Sequence, residues 1–105
     1  MSKSSTTTET DMLDEIHPGD LVRTEFIEPL KLDPDELASV TGIEPPALRA
    51  FLEGRAPVSA DLDLRLGRYF RISEGFFLGL QVDYDMRMWR RSHAAELDRI
   101  VPRAA

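Results

Sequence analysis

The sequence predicts an all-α domain built from five helices, and three observations support this fold class. Apolar residues recur at the three- and four-residue spacing of an amphipathic helix in five successive segments. Prolines, glycines and capping side chains bound these segments, as they bound helices in known proteins. Apart from the short pair Pro57-Val58, no stretch of useful length alternates apolar and polar residues as a strand would.

The first two helices are defined by proline, aspartate and glycine signals. The first is predicted to begin at Pro18, because proline in a first turn loses no donor that the helix needs, and to end by Pro29. The second is predicted to follow Asp33, whose side chain can cap it, with Pro34 in its first turn and Gly42 at its end. Their repeating apolar residues are Leu21, Val22, Phe26, Ile27, Leu37, Ala38 and Val40.

The remaining three helices have signals of the same kind. Glu44-Pro45-Pro46 opens the third, which ends at Gly54, while Ser59 and Ser73 are predicted to cap the fourth and fifth. Their apolar residues are Leu48, Phe51, Leu52, Leu62, Leu64, Leu66, Tyr69, Phe70, Phe76, Phe77, Leu80, Tyr84 and Met88, with Leu97 as an extension. The fifth helix is longer and more aromatic than the domain needs, so its surplus apolar surface indicates a partner, most simply a second copy.

The second and third helices have the spacing of a helix-turn-helix unit. Ala38 lies four residues before Gly42, Leu48 lies six after it, and Phe51 three further on. A small residue lets the two helices approach closely, glycine accepts the left-handed turn, and the later apolar residues bury the inner face of the second helix. A plain helical hairpin in any small bundle fits the same spacing, so the pattern alone leaves both interpretations open.

Composition narrows the functional classes. The chain has 105 residues, which is the length of one domain, and no cysteine, which excludes disulfides and thiolate sites. Its two histidines, His17 and His93, are far apart, which argues against a zinc site or a catalytic triad. No apolar run could span a membrane, and residues 1–14 lack the apolar core of a signal peptide. We therefore expect a cytoplasmic protein that is not an enzyme and holds no cofactor or metal.

The net charge of −6 is unevenly distributed. Residues 1–15 carry a net −3, residues 16–48 a net −5, and residues 49–105 a net +2, with arginine as every cation in the last segment. Such a chain is not a generic polyanion binder, so any contact with nucleic acid must come from a local basic face.

Several short stretches between Ile16 and Trp89 have an order and spacing typical of one family. They are Ile16-His17-Pro18-Gly19-Asp20, Phe26-Ile27-Glu28-Pro29-Leu30, Ser59-Ala60-Asp61, Leu64-Arg65-Leu66, Arg68-Tyr69-Phe70, Phe76-Phe77-Leu78-Gly79-Leu80-Gln81 and Tyr84-Asp85. Together they resemble the HigA/VapI-like antitoxins, which belong to the Xre group of λ-repressor-like DNA-binding proteins. The resemblance implies a five-helix λ-repressor-like helix-turn-helix domain with a long C-terminal helix over residues 15–105. The acidic, Ser/Thr-rich residues 1–14 are predicted to be a disordered tail.

The function implied by this resemblance is that of an antidote to a small, basic, RNA-cleaving toxin of the HigB/RelE-like kind. Such a protein forms a homodimer, binds a palindromic operator in its own promoter and represses its own operon. The recognition helix would be Pro45–Glu53, where Arg49 could fork onto a guanine and Arg55 could hold a phosphate. The predicted DNA-binding residues are Pro45, Pro46, Ala47, Arg49, Ala50, Glu53 and Arg55. The predicted dimer-interface residues are Phe77, Tyr84, Met88 and Trp89.

Departures from the family pattern keep a second hypothesis open. The usual Ser-Gln opening of the first motif helix is replaced by Asp33-Pro34, followed by Asp35 and Glu36, and Glu44 precedes the recognition helix. Carboxylates repel phosphates, so the chain could instead be a toxin-binding or other protein-interaction module with little or no DNA binding, using the acidic residues 1–36. His17 is expected to cap or pack, and Arg65 and Arg68 to pair with Asp61 and Asp63.

Overall fold

The computed structural model describes residues 16–104, where every regular element is a helix, as predicted. The first element, α1 (Pro18–Val22), continues directly into a π-helical turn (Arg23–Ile27). The others are α2 (Pro34–Thr41), α3 (Pro45–Leu52), α4 (Ala60–Phe70), α5 (Phe76–Ser92) and α6 (Ala94–Asp98). The predicted disordered tail, residues 1–14, lies outside the described residues.

The starts of α1, α2 and α4 form as the sequence predicts. Pro18 occupies the first turn of α1, and the Asp33 carboxylate accepts the Asp35 backbone N–H at 3.1 Å. The Ser59 hydroxyl accepts the Leu62 N–H at 3.1 Å. Each bond satisfies a donor that the first turn of a helix leaves without a backbone partner.

The cap predicted for α5 is wrong, because this helix is capped from another element. It begins after Gly75, not after a Ser73 cap, and it has no cap from its own N-cap side chain. Instead the Asp63 carboxylate of α4 accepts the Gly75 N–H at 2.7 Å and the Leu78 N–H at 3.0 Å. Asp63 is only 1% exposed. The prediction that it pairs with a surface arginine is therefore also wrong.

Of the two arginines of α4 that were predicted to pair within the helix, one does so and the other does not. Asp61 accepts a hydrogen bond from Nε of Arg65 at 2.7 Å, one helical turn away, as expected. Arg68 instead lies 3.9 Å from Glu74 in the loop that leads to α5.

The predicted extension of α5 through Leu97 is interrupted at His93. The backbone there leaves helical geometry, with φ −125° and ψ 22°. The Ser92 hydroxyl bonds to the Trp89 carbonyl at 3.1 Å, so a side chain takes part in capping the last turn. Leu97 consequently lies on the separate helix α6.

One hydrophobic core joins the first five helices. Its buried members are Val22, Ile27, Leu37, Ala38, Ile43, Leu48, Phe51, Leu52, Val58, Leu62, Leu66 and Phe77. Six residues of the apolar repeats lie outside the core and are exposed: Val40, Leu64, Tyr69, Phe76, Met88 and Leu97.

Two glycines bring the recognition helix into place. Gly42 ends α2 with φ 79°, and its N–H bonds to the Ala38 carbonyl at 2.9 Å, which produces the predicted sharp turn into α3. In α1, a Cβ added to Gly19 would lie 1.6 Å from the Phe51 carbonyl oxygen. Only glycine therefore lets α1 approach the end of α3 so closely.

Candidate DNA-binding interface

Helix α3 has one buried and one exposed face. Leu48, Phe51 and Leu52 hold the buried face in the core, against α1 and α2. The residues predicted to meet DNA lie mostly on the other side. Pro45, Pro46, Ala47, Arg49, Glu53 and Arg55 are exposed, and Ala50 is half-buried.

Arg49, the predicted base-reading side chain, is held by an acidic partner from the neighbouring helix. Its Nη2 donates to Oδ1 of Asp35, in the first turn of α2, at 2.7 Å. The two side chains are 53% and 63% exposed. An exposed ion pair of this kind is weak and exchangeable, so Arg49 is accessible to a stronger acceptor.

The other arginines around this face are also paired. Nε of Arg55 donates to Glu53 at 2.9 Å. Arg23, in the π-helical turn, lies 3.3 Å from Asp20 and 3.0 Å from Glu28. The hydrogen bond with Asp20 raises the pKa of Arg23, so this cation is held more firmly in its charged form.

A cleft of about 380 Å³ lies between the π-helical turn, the start of α2 and α3. Its apolar lining comes from Ile27, Pro34 and Leu52. Its charged lining residues are Arg23, Glu28, Asp33, Asp35, Arg49 and Glu53. An anion that approaches here meets two arginines that already neutralise neighbouring carboxylates.

His17 lies behind the recognition helix and has the capping and packing role expected of it. Its Nδ1 accepts the Gly19 N–H at 2.9 Å, and its ring meets Phe51 and Tyr84 edge-on, at centroid distances of 6.1 and 5.3 Å. Burial lowers the pKa of His17, against the opposing effect of Asp20 and Asp85. The neutral imidazole therefore ties α1 to α3 and α5.

The predicted dimer residues separate into two groups. Phe77 was placed wrongly, because it is 0% exposed and fills the domain core, and Tyr84 is half-buried against His17. Met88 and Trp89 are exposed.

A continuous apolar stripe runs elsewhere on α5. Val82, Met86 and Trp89 are 55%, 56% and 54% exposed, and they follow one another at four and three residues. Counting back from Trp89 at helical spacing finds this stripe in the sequence, whereas the predicted dimer-interface residues come from both faces of the helix.

Among residues 16–104, no helix is both long and apolar enough to cross a bilayer. The same residues contain no group of three His, Asp or Glu side chains placed to hold a metal ion.

Comparison with known proteins identifies relatives of this fold and sequence. No family model matches the chain. Virulence-associated protein I of Dichelobacter nodosus is 33% identical over 73 residues, which cover 70% of this chain and 68% of the relative. The uncharacterised HTH-type transcriptional regulator YbaQ of Escherichia coli K12 is 29% identical over 69 residues, 66% of this chain, and the match spans 61% of its length.

Solved structures agree with this relationship over most of the chain. The Pseudomonas aeruginosa antitoxin HigA, solved with the higBA promoter, has a TM-score of 0.79 and 30% identity, covering 86% of this chain and 99% of its own. Antitoxin GraA, in complex with its operator, has a TM-score of 0.78 and 33% identity, covering 86% and 91%. Two of these four relatives are named as antitoxins, and YbaQ is named as a transcriptional regulator. The chain therefore belongs to the HigA/VapI-like antitoxins, within the Xre-type helix-turn-helix proteins.

Proposed function

We propose that this protein is a cytoplasmic, non-enzymatic antitoxin that binds operator DNA in its own promoter, represses its operon and neutralises a basic, RNA-cleaving toxin of the HigB/RelE-like kind. The observation that carries the proposal is that Arg49 lies on the exposed face of α3, the helix that follows the turn at Gly42. Its support is the fold shared with an antitoxin solved on its own operator.

The proposed mechanism uses two copies of α3. In a two-fold dimer the two recognition helices enter successive major grooves, about 34 Å apart. Arg49 donates to O6 and N7 of a guanine, and Arg55 contacts a phosphate, which sets the register of the protein on the duplex. Pro45, Pro46 and Ala47 contribute shape and apolar contact only, so sequence reading depends strongly on Arg49.

Fluorescence anisotropy with a labelled promoter fragment, in a series of salt concentrations, tests DNA binding. We expect Arg49→Ala to weaken promoter binding by at least about thirtyfold and to reduce the preference over a scrambled duplex, since each of the two protomers loses one bidentate base contact worth about 1–3 kcal/mol. Arg68→Ala is the control, because it removes an exposed arginine from α4, outside the helix-turn-helix. Absence of promoter binding by the wild type at low salt would contradict the proposal.

We further propose that dimerisation uses the apolar stripe of α5. Val82, Met86 and Trp89 are exposed and have the four- and three-residue spacing of residues that pack one helix against another. Beside Met86 and Trp89 lies a cleft of about 280 Å³, which is also lined by Asp85 and Arg90. Opposite charges beside a two-fold seam can pair across it. Sedimentation should show a dimer that Met86→Glu converts to monomer, while Leu64→Glu, on the exposed side of α4, leaves the dimer intact. A dimeric Met86→Glu protein would place the interface elsewhere.

A second candidate function is toxin binding with little DNA affinity. It is favoured by the carboxylate partners of Arg49 and Arg55 on the face proposed to meet DNA. Co-purification with the product of the adjacent gene separates the two. Capture of a small basic protein without any promoter binding would favour this candidate, and promoter binding without capture would leave a plain repressor.

A further inference from the structure

Helix α2 carries its own anions at the end where such a helix would meet a phosphate. The Asp33 side chain accepts a backbone N–H of the first turn, and Asp35 follows two residues later. A helix N-terminus attracts negative charge because its N–H groups and dipole point toward it. Here that favourable position is already taken by two carboxylates of the chain itself.

The same end of α2 also binds the one cation of α3. Arg49 is the only Lys or Arg between Pro45 and Leu52. Its pair with Asp35 spans 14 positions of sequence, so it joins the two helices of the motif and is not a neighbour contact within one helix. Arg55, just past α3, is paired locally with Glu53, two residues before it.

Operator DNA and these carboxylates therefore compete for the same guanidinium groups. If Arg49 stays on Asp35, its Nη2 is not available for a base edge, and a bidentate guanine contact requires two N–H donors from one side of the fork. If Arg49 leaves, Asp35 is an unpaired negative charge beside the phosphate backbone. Both states oppose DNA binding.

We propose that Asp35 is an intramolecular competitor of operator DNA, which holds Arg49 in the free protein and lowers operator affinity, with Glu53 acting in the same sense on Arg55. The inference rests on the proposed operator binding and adds a determinant of its strength. The competitor is weak, because exposed pairs exchange readily, so it tunes binding without abolishing it. If Asp35 instead positioned Arg49 for DNA, removing its carboxylate would loosen Arg49, and operator affinity would fall.

The test is promoter-fragment anisotropy with Asp35→Asn, which keeps the shape of the side chain and removes its charge. We expect about three- to tenfold tighter binding than wild type, because each of the two recognition helices releases Arg49 from a weak, exposed pair. The preference over a scrambled duplex should also rise, since the released arginine reads a base. Glu53→Gln should act in the same direction. Glu74→Gln is the matched control, because it has the same charge change and also releases an arginine, Arg68, outside the motif.

A double-mutant cycle shows whether Asp35 acts through Arg49. In the Arg49→Ala background, the gain from Asp35→Asn should fall below twofold. Unchanged or weaker binding by Asp35→Asn, or an undiminished gain without Arg49, would overturn the inference while leaving operator binding intact. Failure of the wild type and of Asp35→Asn to bind would contradict the proposed function itself.

Discussion

Replacing Asp63 tests how α5 is held to the domain. This carboxylate is 1% exposed and accepts two backbone N–H groups at the start of α5, from Gly75 and Leu78. A hydrogen bond to a charged group contributes about 1.5–3 kcal/mol. Asp63→Ala removes both acceptors, so we expect the free energy of unfolding to fall by about 3–5 kcal/mol. That is a large fraction of the roughly 5–15 kcal/mol that stabilises a domain of this kind.

Two comparisons separate this effect from a simple loss of charge. Asp63→Asn retains one oxygen acceptor but turns an NH₂ toward the second N–H, so the loss should be about 1.5–3 kcal/mol. Asp61→Ala, two residues away, removes an exposed pair with Arg65 and should cost less than about 1 kcal/mol.

Urea unfolding at one fixed protein concentration measures all three variants. Far-UV circular dichroism reports the helices, and fluorescence of Trp89, the single tryptophan, reports α5. A fixed concentration matters because the proposed dimerisation would add to the apparent stability. If Asp63→Ala were no less stable than Asp61→Ala, the buried carboxylate would not be the cap that the structure indicates.

Three further predictions concern the contacts around the core. His17 has a lowered pKa in the folded state, so its contribution to stability is full above the unfolded value of 6.5 and is lost as the pH falls below it. His17→Asn, which retains a capping oxygen, should therefore flatten the decline in thermal stability between pH 7.5 and 5.5. Gly19→Ala should lower the free energy of unfolding by at least about 2 kcal/mol in urea, since the new methyl overlaps the Phe51 carbonyl, whereas Gly79→Ala, with open space around it, should not destabilise. Gln81→Leu should cost about 1–3 kcal/mol in the same assay, because the buried amide oxygen accepts the Val58 N–H at 3.0 Å.

Local signals made most of the helix boundaries predictable from sequence. Pro18, Asp33, Gly42 and Ser59 act within one turn of their own position, so their neighbours in the chain determine what they do. The cap of α5 was not predictable in this way. Asp63 lies 12 residues from Gly75, and no pattern within its own helix points to a partner that far along the chain. Its basic neighbours Arg65 and Arg68 are two and five residues away, which is not the three- or four-residue spacing of a pair within a helix.

In the candidate DNA-binding surface too, the position of a side chain on its own helix was predictable, but its partner on another helix was not. Helical periodicity predicts the buried face of α3, with Leu48 and Phe51, and the resemblance to the antitoxin family implied that Arg49 lies on the exposed face. The partner of Arg49 depends on the angle between α2 and α3, which no local pattern encodes. The acidic residues were visible in the sequence as a departure from the family, but not as an ion pair with the base-reading side chain.

The central claim, that this chain is an operator-binding antitoxin, is tested most directly by a competition measurement. The full-length protein is titrated into a labelled fragment of its own promoter at a fixed salt concentration near 150 mM, with unlabelled promoter or scrambled duplex as competitor. We predict that promoter DNA competes at least about a thousandfold more effectively than scrambled DNA, as specific DNA-binding proteins do. Equal competition by the two duplexes, or no binding at all, would contradict the claim.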